Sequence, residues 1–138
     1  MPPTLEEYKA FIYALPTSYP TIQHALLSFI RLGPLTATVR AELFFAHEMV
    51  LRVRQTLDFT DGFIQSYSYE VYRGEEKLYW YDSWPHPHIP ELAVTDPHHK
   101  HIPPDMKHHR IPAPALSFAR PNLPFLIAEI DQTLGSDS

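Results

Sequence analysis

The sequence predicts an α+β fold: two N-terminal helices, a four-stranded antiparallel β-meander, a His/Pro-rich loop and a C-terminal helix. Three observations lead there. Apolar residues recur at helical spacing up to Gly33, then at every second residue from Pro34 to Trp84. The strand-like runs follow one another with short, turn-like connections, which favours antiparallel pairing. Ten of the fifteen prolines then fall between Pro85 and Pro124, where no central strand is expected.

Each element has its own local reason. Thr4-Leu-Glu-Glu7 is a capping box, with Thr4 and Glu7 satisfying backbone donors reciprocally. Leu5, Tyr8, Ile12 and Leu15 form the stripe of the first helix, which Pro16 ends. A second helix is expected from about Ser18, with Pro20 in its first turn, Ile22, Ala25, Leu26 and Phe29 inward, and Gly33 as its stop. Residues 4–32 are thus read as a helical pair.

The sheet is read over 36–84. Val39, Ala41, Leu43 and Phe45 alternate with Arg40, Glu42 and Phe44, and Leu51, Val53, Leu57 and Phe59 alternate with Arg52, Arg54 and Asp58. Asp61-Gly62 is a hairpin signal. The run from Phe63 to Arg73 and the run from Glu76 to Trp84 complete four strands around a turn at Gly74. In the third, Tyr67, Tyr69, Val71 and Arg73 share a face. In the fourth, strict alternation puts Lys77, Tyr79 and Tyr81 opposite Leu78, Trp80 and Asp82. Residues 85–120 are read as a His/Pro-rich loop wrapping the sheet. Residues 121–134 form a C-terminal helix with Leu123, Ile127 and Ile130 on its stripe. All 138 residues are assigned to a single domain.

Composition narrows the chemistry. There is no cysteine, which removes disulfides, thiolate nucleophiles and cysteine-ligated zinc. The N-terminus is not a signal peptide, and no apolar run approaches the roughly 20 residues of a membrane span; a soluble, cytoplasmic protein is expected. The net charge of −5 argues against nucleic-acid binding through bulk charge. Locally the balance reverses: residues 98–110 carry Lys100, Lys107 and Arg110 against Asp105 alone, with five of the nine histidines. Four glycines, none clustered, exclude a phosphate loop.

Seven histidines lie between residues 86 and 109. Imidazole suits acid–base chemistry near neutral pH, and a neighbouring lysine can stabilise developing negative charge. A basic and an acidic histidine with a cation suffice for metal-independent RNA cleavage. The candidates are His99 and His101 as base and acid, Lys100 for transition-state charge, and Asp82 and His86 or His88 to orient them, with His98 as a further site residue. No cofactor is required. The same groups allow a zinc alternative, with His86, His88, His98 and His101 as ligands and Asp82 or Asp96 as carboxylate. A plain solvated loop is the third reading. Arg40, Arg52 and Arg54 either line a phosphate-binding face or belong to a solvated one. His24 and His47 are assigned structural or solvent roles, as is Glu48.

The stretch from Tyr67 to Pro103 resembles the hallmark region of TumE-like proteins, small prokaryotic proteins regarded as toxins of toxin–antitoxin pairs. The resemblance covers roughly residues 36–103. It is carried by Tyr81-Asp82, Pro85-His86, Pro90-Glu91 and the string Pro97-His98-His99-Lys100-His101. His86-Pro87-His88 departs from the pattern, because either imidazole can take the family position. The resemblance implies a toxin and with it an antitoxin partner, for example of the helix-turn-helix kind; RNA as the target is the expectation from the histidine chemistry. Helices before an antiparallel sheet are also similar to the layout of RelE-type ribonuclease toxins, an analogy of fold alone. An exposed meander edge offers a route to a homodimer. A non-enzymatic interaction module remains the alternative function.

Overall fold

A computed structural model describes residues 3–60, 62–83, 99–102, 110–112 and 116–136, with backbone alone at 99, 101, 110–112 and 136. The elements are α1 (Leu5–Tyr13), α2 (Leu15–Ser18), β1 (His24–Arg31), β2 (Thr36–Phe44), β3 (Met49–Asp58), β4 (Ile64–Arg73), β5 (Glu76–Asp82), β6 (His99–His101), β7 (Arg110–Pro112) and α3 (Leu123–Ser136). The strands form one sheet in sequence order, and every neighbouring pair is antiparallel. Five strands are long, and the last two contribute three residues each.

The α+β class, the meander and the helices at both ends match the expectation. The strand count does not, and the reasons are local. The predicted second helix is mostly β1. Its residues 25–30 carry five apolar side chains, which satisfy a helical stripe and a strand alternation alike. Pairing decides between them. His24–Arg31 match Phe44–Ala37 residue for residue, and the Gly33-Pro34 turn closes the hairpin with Leu32 N donating to Thr36 O (2.9 Å). Arg31 clamps that turn through the Gly33 and Pro34 carbonyls and reaches Glu6 of α1. Backbone hydrogen bonds along a whole strand outweigh a weak helical preference.

The His/Pro segment also yields strands. β6 lies between β5 and β7, so it is an interior strand. It contains no proline, its neighbours Pro97 and Pro103 falling outside it, and Pro112 sits on the edge strand β7 where a missing N–H is tolerated.

One face of the sheet is covered by the helices. The α1 stripe is buried as predicted, as are Leu123, Leu126, Ile127 and Ile130 of α3. They pack over Val39, Ala41, Leu43, Leu51, Val53, Leu57, Tyr69 and Val71. The capping box forms as read, with Glu7 N donating to Thr4 Oγ1 (3.1 Å) and Thr4 N to Glu7 Oε1 (2.8 Å).

A polar chain crosses this core. Tyr8 of α1 donates its hydroxyl to Gln55 Oε1 on β3 (2.7 Å), and Gln55 Nε2 donates to the Tyr69 hydroxyl on β4 (2.6 Å). Asn122, just before α3, donates Nδ2 to the same hydroxyl (3.1 Å) and accepts from Ser117 N (2.8 Å). All four side chains are at most 1% exposed, so each polar group depends on its partner. Gln55 occupies a buried position where alternation calls for an apolar residue. Gln55→Leu should cost about 2–3 kcal/mol, because both tyrosine hydroxyls lose a partner; urea unfolding measures it.

Two backbone features interrupt the regularity. His47 (φ 57°) and Glu48 (φ 61°) are both left-handed in the β2–β3 turn, where Phe45 N donates to Met49 O (2.8 Å). Such two-residue turns favour Asn-Gly. His47→Asn with Glu48→Gly should stabilise the protein by about 1 kcal/mol, read as a rise in Tm. The second feature is a register shift in the β4–β5 pair beyond Val71, where Tyr72 faces Lys77 rather than Leu78. This bulge corrects the strict alternation: Lys77 joins Glu70, Tyr72 and Trp80, with its ammonium 4.0 Å from the Trp80 ring and paired with Glu70.

The buried face holds a cluster of tyrosines. Tyr67 and Tyr69 stack at 4.8 Å, and Tyr81 is 3% exposed. Burial pushes the phenols of Tyr8, Tyr67, Tyr69, Tyr79 and Tyr81 well above the ordinary tyrosine range. For Tyr79 and Tyr81 the nearby Glu129 carboxylate adds to the effect. Above pH about 10 the unfolded chain loses these protons while the folded one keeps them, so stability is full below that pH and falls as pH rises through it. Titration of tyrosinate absorbance should therefore show five of the eight tyrosines ionising together with unfolding.

Candidate functional site

Among the described residues the other face of the sheet is open over β1–β4, and the antiparallel register writes its composition in rows. One row runs Ser28–Arg40–Arg54–Ser68–Asp82–His99 from β1 to β6. The next runs Leu26–Glu42–Arg52–Glu70–Trp80–His101. Between them the alternate row Leu27–Ala41–Val53–Tyr69–Tyr81–Lys100 belongs to the helix-covered face. Positions 99 and 101 therefore share a face with the three arginines, and Lys100 does not.

The two open rows line a concave groove of about 560 Å³ over β1–β4. Arg52 is engaged there: it pairs with Glu42 (3.4 Å) and its guanidinium lies 4.6 Å from the Tyr72 ring centre. Arg40 and Arg54 are exposed and face each other directly across β2 and β3.

At the far end of the rows Asp82 is 9% exposed, and Trp80 Nε1 donates to its Oδ2 (3.3 Å). A buried carboxylate next to position 99 in the register can hold and orient an imidazole. Asp82 was legible in the sequence as the end of the tyrosine-rich hairpin.

Lys100 differs from expectation. Its ammonium lies 3.3 Å from Glu129 Oε2 of α3, and 4.4 and 5.2 Å from the Tyr79 and Tyr81 ring centres. Tyr81 donates its hydroxyl to the same Glu129 oxygen (2.8 Å). This clasp ties β6 to β5 and α3 and fixes which face positions 99 and 101 occupy. Glu129 escaped sequence reasoning because it lies on a helix otherwise read by its apolar stripe.

His86, His88 and His98 lie outside the described residues, as does Asp96 of the zinc alternative. Among the described residues no group of three His, Asp or Glu is arranged to hold a metal. His24 is exposed on β1, with its ring 5.5 Å from Phe44, and His47 shapes a turn. No helix among the described residues is long and apolar enough to cross a membrane.

Comparison with known proteins carries the resemblance beyond residues 36–103 in both directions. The family model for Toxin TumE matches residues 14–134. No curated protein and no solved structure matches. The match takes in the whole sheet and most of α3, well beyond the histidine string, and the chain belongs to the TumE toxin family.

Proposed function

We propose that this toxin-family chain cleaves RNA without a metal ion, using the open face of its sheet, and that an antitoxin protein neutralises it. The observation that carries the reading is the register. It places position 99 beside Asp82 and position 101 beside Trp80, on the face that bears Arg40, Arg52 and Arg54. Two histidines of one strand, two residues apart, lie about 7 Å apart along it. That spacing can bracket a phosphodiester.

In this reading His99 takes the proton of a ribose 2′-hydroxyl, with Asp82 orienting it. The 2′-oxygen attacks the adjacent phosphorus and the bond to the 5′-oxygen breaks. His101 gives its proton to that leaving oxygen, so the products are a cyclic phosphate and a 5′-hydroxyl. His98 and His86 or His88 are the further candidates to complete the site. Lys100 acts as a positioning residue through Glu129.

RNA cleavage in EDTA tests this directly. Wild type should cleave with a bell-shaped pH–rate profile, and His99→Ala with His101→Ala should lose about 10²-fold or more. Full activity in that double variant sinks the assignment.

One observation favours the non-enzymatic alternative. β1 is an edge strand, and Leu26, Ile30, Leu32 and Leu35 are 52%, 54%, 65% and 45% exposed. An edge of this kind can accept a partner's strand, from an antitoxin or a second copy. A stable complex formed by protein without any nuclease activity would favour that reading.

A further inference from the structure

We infer that Arg40 and Arg54 form a phosphate subsite for single-stranded RNA, which holds the chain away from the bond being cut. The inference rests on the reading of the open face as the RNA-facing surface.

The two arginines are direct cross-strand partners. Side chains so placed have Cβ atoms about 5 Å apart, and like charges there destabilise the pair. Arg52, one row away, has Glu42 and Tyr72 as partners. Among the described residues neither Arg40 nor Arg54 has an acidic partner. The fold therefore places two arginines opposite each other on the floor of a groove, with Ser28 and Ser68 beside them in the same row. A phosphate relieves that repulsion and matches the planar donor fork of arginine. With a net charge of −5 the chain has no bulk attraction for a polyanion, so the attraction is local to this groove.

The row also says which anion. It continues from Arg54 through Ser68 and Asp82 to position 99, three strand spacings or roughly 14 Å away. That is too far for the scissile phosphate and suits another phosphate of the same chain lying across the strands. The Arg52–Tyr72 stack borders this path, and bases stack on such surfaces. An acidic peptide has no comparable reason to follow the row to the histidine positions.

The test uses full-length protein carrying His99→Ala and His101→Ala, so that binding is read without cleavage. Fluorescence anisotropy with a short labelled single-stranded RNA is followed over a range of salt. Adding R40Q and R54Q should weaken binding by about tenfold or more and flatten the dependence of log K on log salt by about one. R40K with R54K should keep the salt slope, because the charge stays, and lose part of the affinity, because lysine lacks the planar fork. Tm of the glutamine variants should be unchanged or higher, because a like-charge pair is removed; a merely structural role would lower it. The single variant R54Q serves where the double does not fold. Unchanged affinity and slope overturn the inference. So does a polyglutamate peptide that binds as tightly as RNA with the same arginine dependence. Wild-type cleavage is measured separately. Arginine-dependent binding without cleavage removes the ribonuclease reading and keeps the subsite. Cleavage with arginine-independent binding does the reverse.

Discussion

The chain Tyr8–Gln55–Tyr69–Asn122 is the constraint on which the rest of the molecule depends. It joins α1, two central strands and the start of α3 through hydrogen bonds among buried groups. An apolar core tolerates sliding, because dispersion contacts are non-directional. Directional bonds between buried groups do not, since any shift leaves a hydroxyl or amide without a partner. The helices are therefore seated on one face of the sheet in one register. Among the described residues the opposite face is left open over β1–β4.

That asymmetry is what makes a site available. In an antiparallel sheet covered on one side, every second residue remains accessible and the cross-strand rows become continuous stripes of chemistry. Here residues distant in sequence, from Ser28 to His99, meet in one stripe. The Lys100–Glu129–Tyr81 clasp performs for β6 what the Gln55 chain performs for the centre. By engaging the residue between the two histidines from below, it leaves the histidine positions on the open side. An ion pair that is about one fifth exposed on both partners contributes modestly to stability. Its consequence for orientation is larger than its energy.

Arg40 opposite Arg54 is an arrangement that stability alone disfavours, as is a left-handed pair at His47 and Glu48 in place of Asn-Gly. The Glu48 carbonyl of the turn accepts from Gly74 N (2.9 Å), which offsets part of that strain, whereas among the described residues no acidic side chain pairs with Arg40 or Arg54. For the arginine pair, the groove around it supplies the space.

The sequence by itself determined the capping box, the α1 stripe, the alternation of β2 to β4, the grouping of Tyr67 and Tyr69 on one strand face and the C-terminal helix. Each of these is a local pattern whose period matches its backbone geometry. It also marked Asp82 and the His98–His101 string, because unusual composition is visible without a structure. Tertiary structure decided the rest. Residues 24–31 satisfy both periods, and only the hydrogen-bonding edge of β2 made them a strand. The bulge at Lys77 moved one cation to the opposite face, a shift that strict alternation cannot anticipate. The proline-flanked residues 99–101 became an interior strand because β5 offered them an open edge. The alignment of positions 99 and 101 with the arginines, and the turn of Lys100 away from them, follow from register. Register is a property of paired strands, and no single strand's sequence contains it.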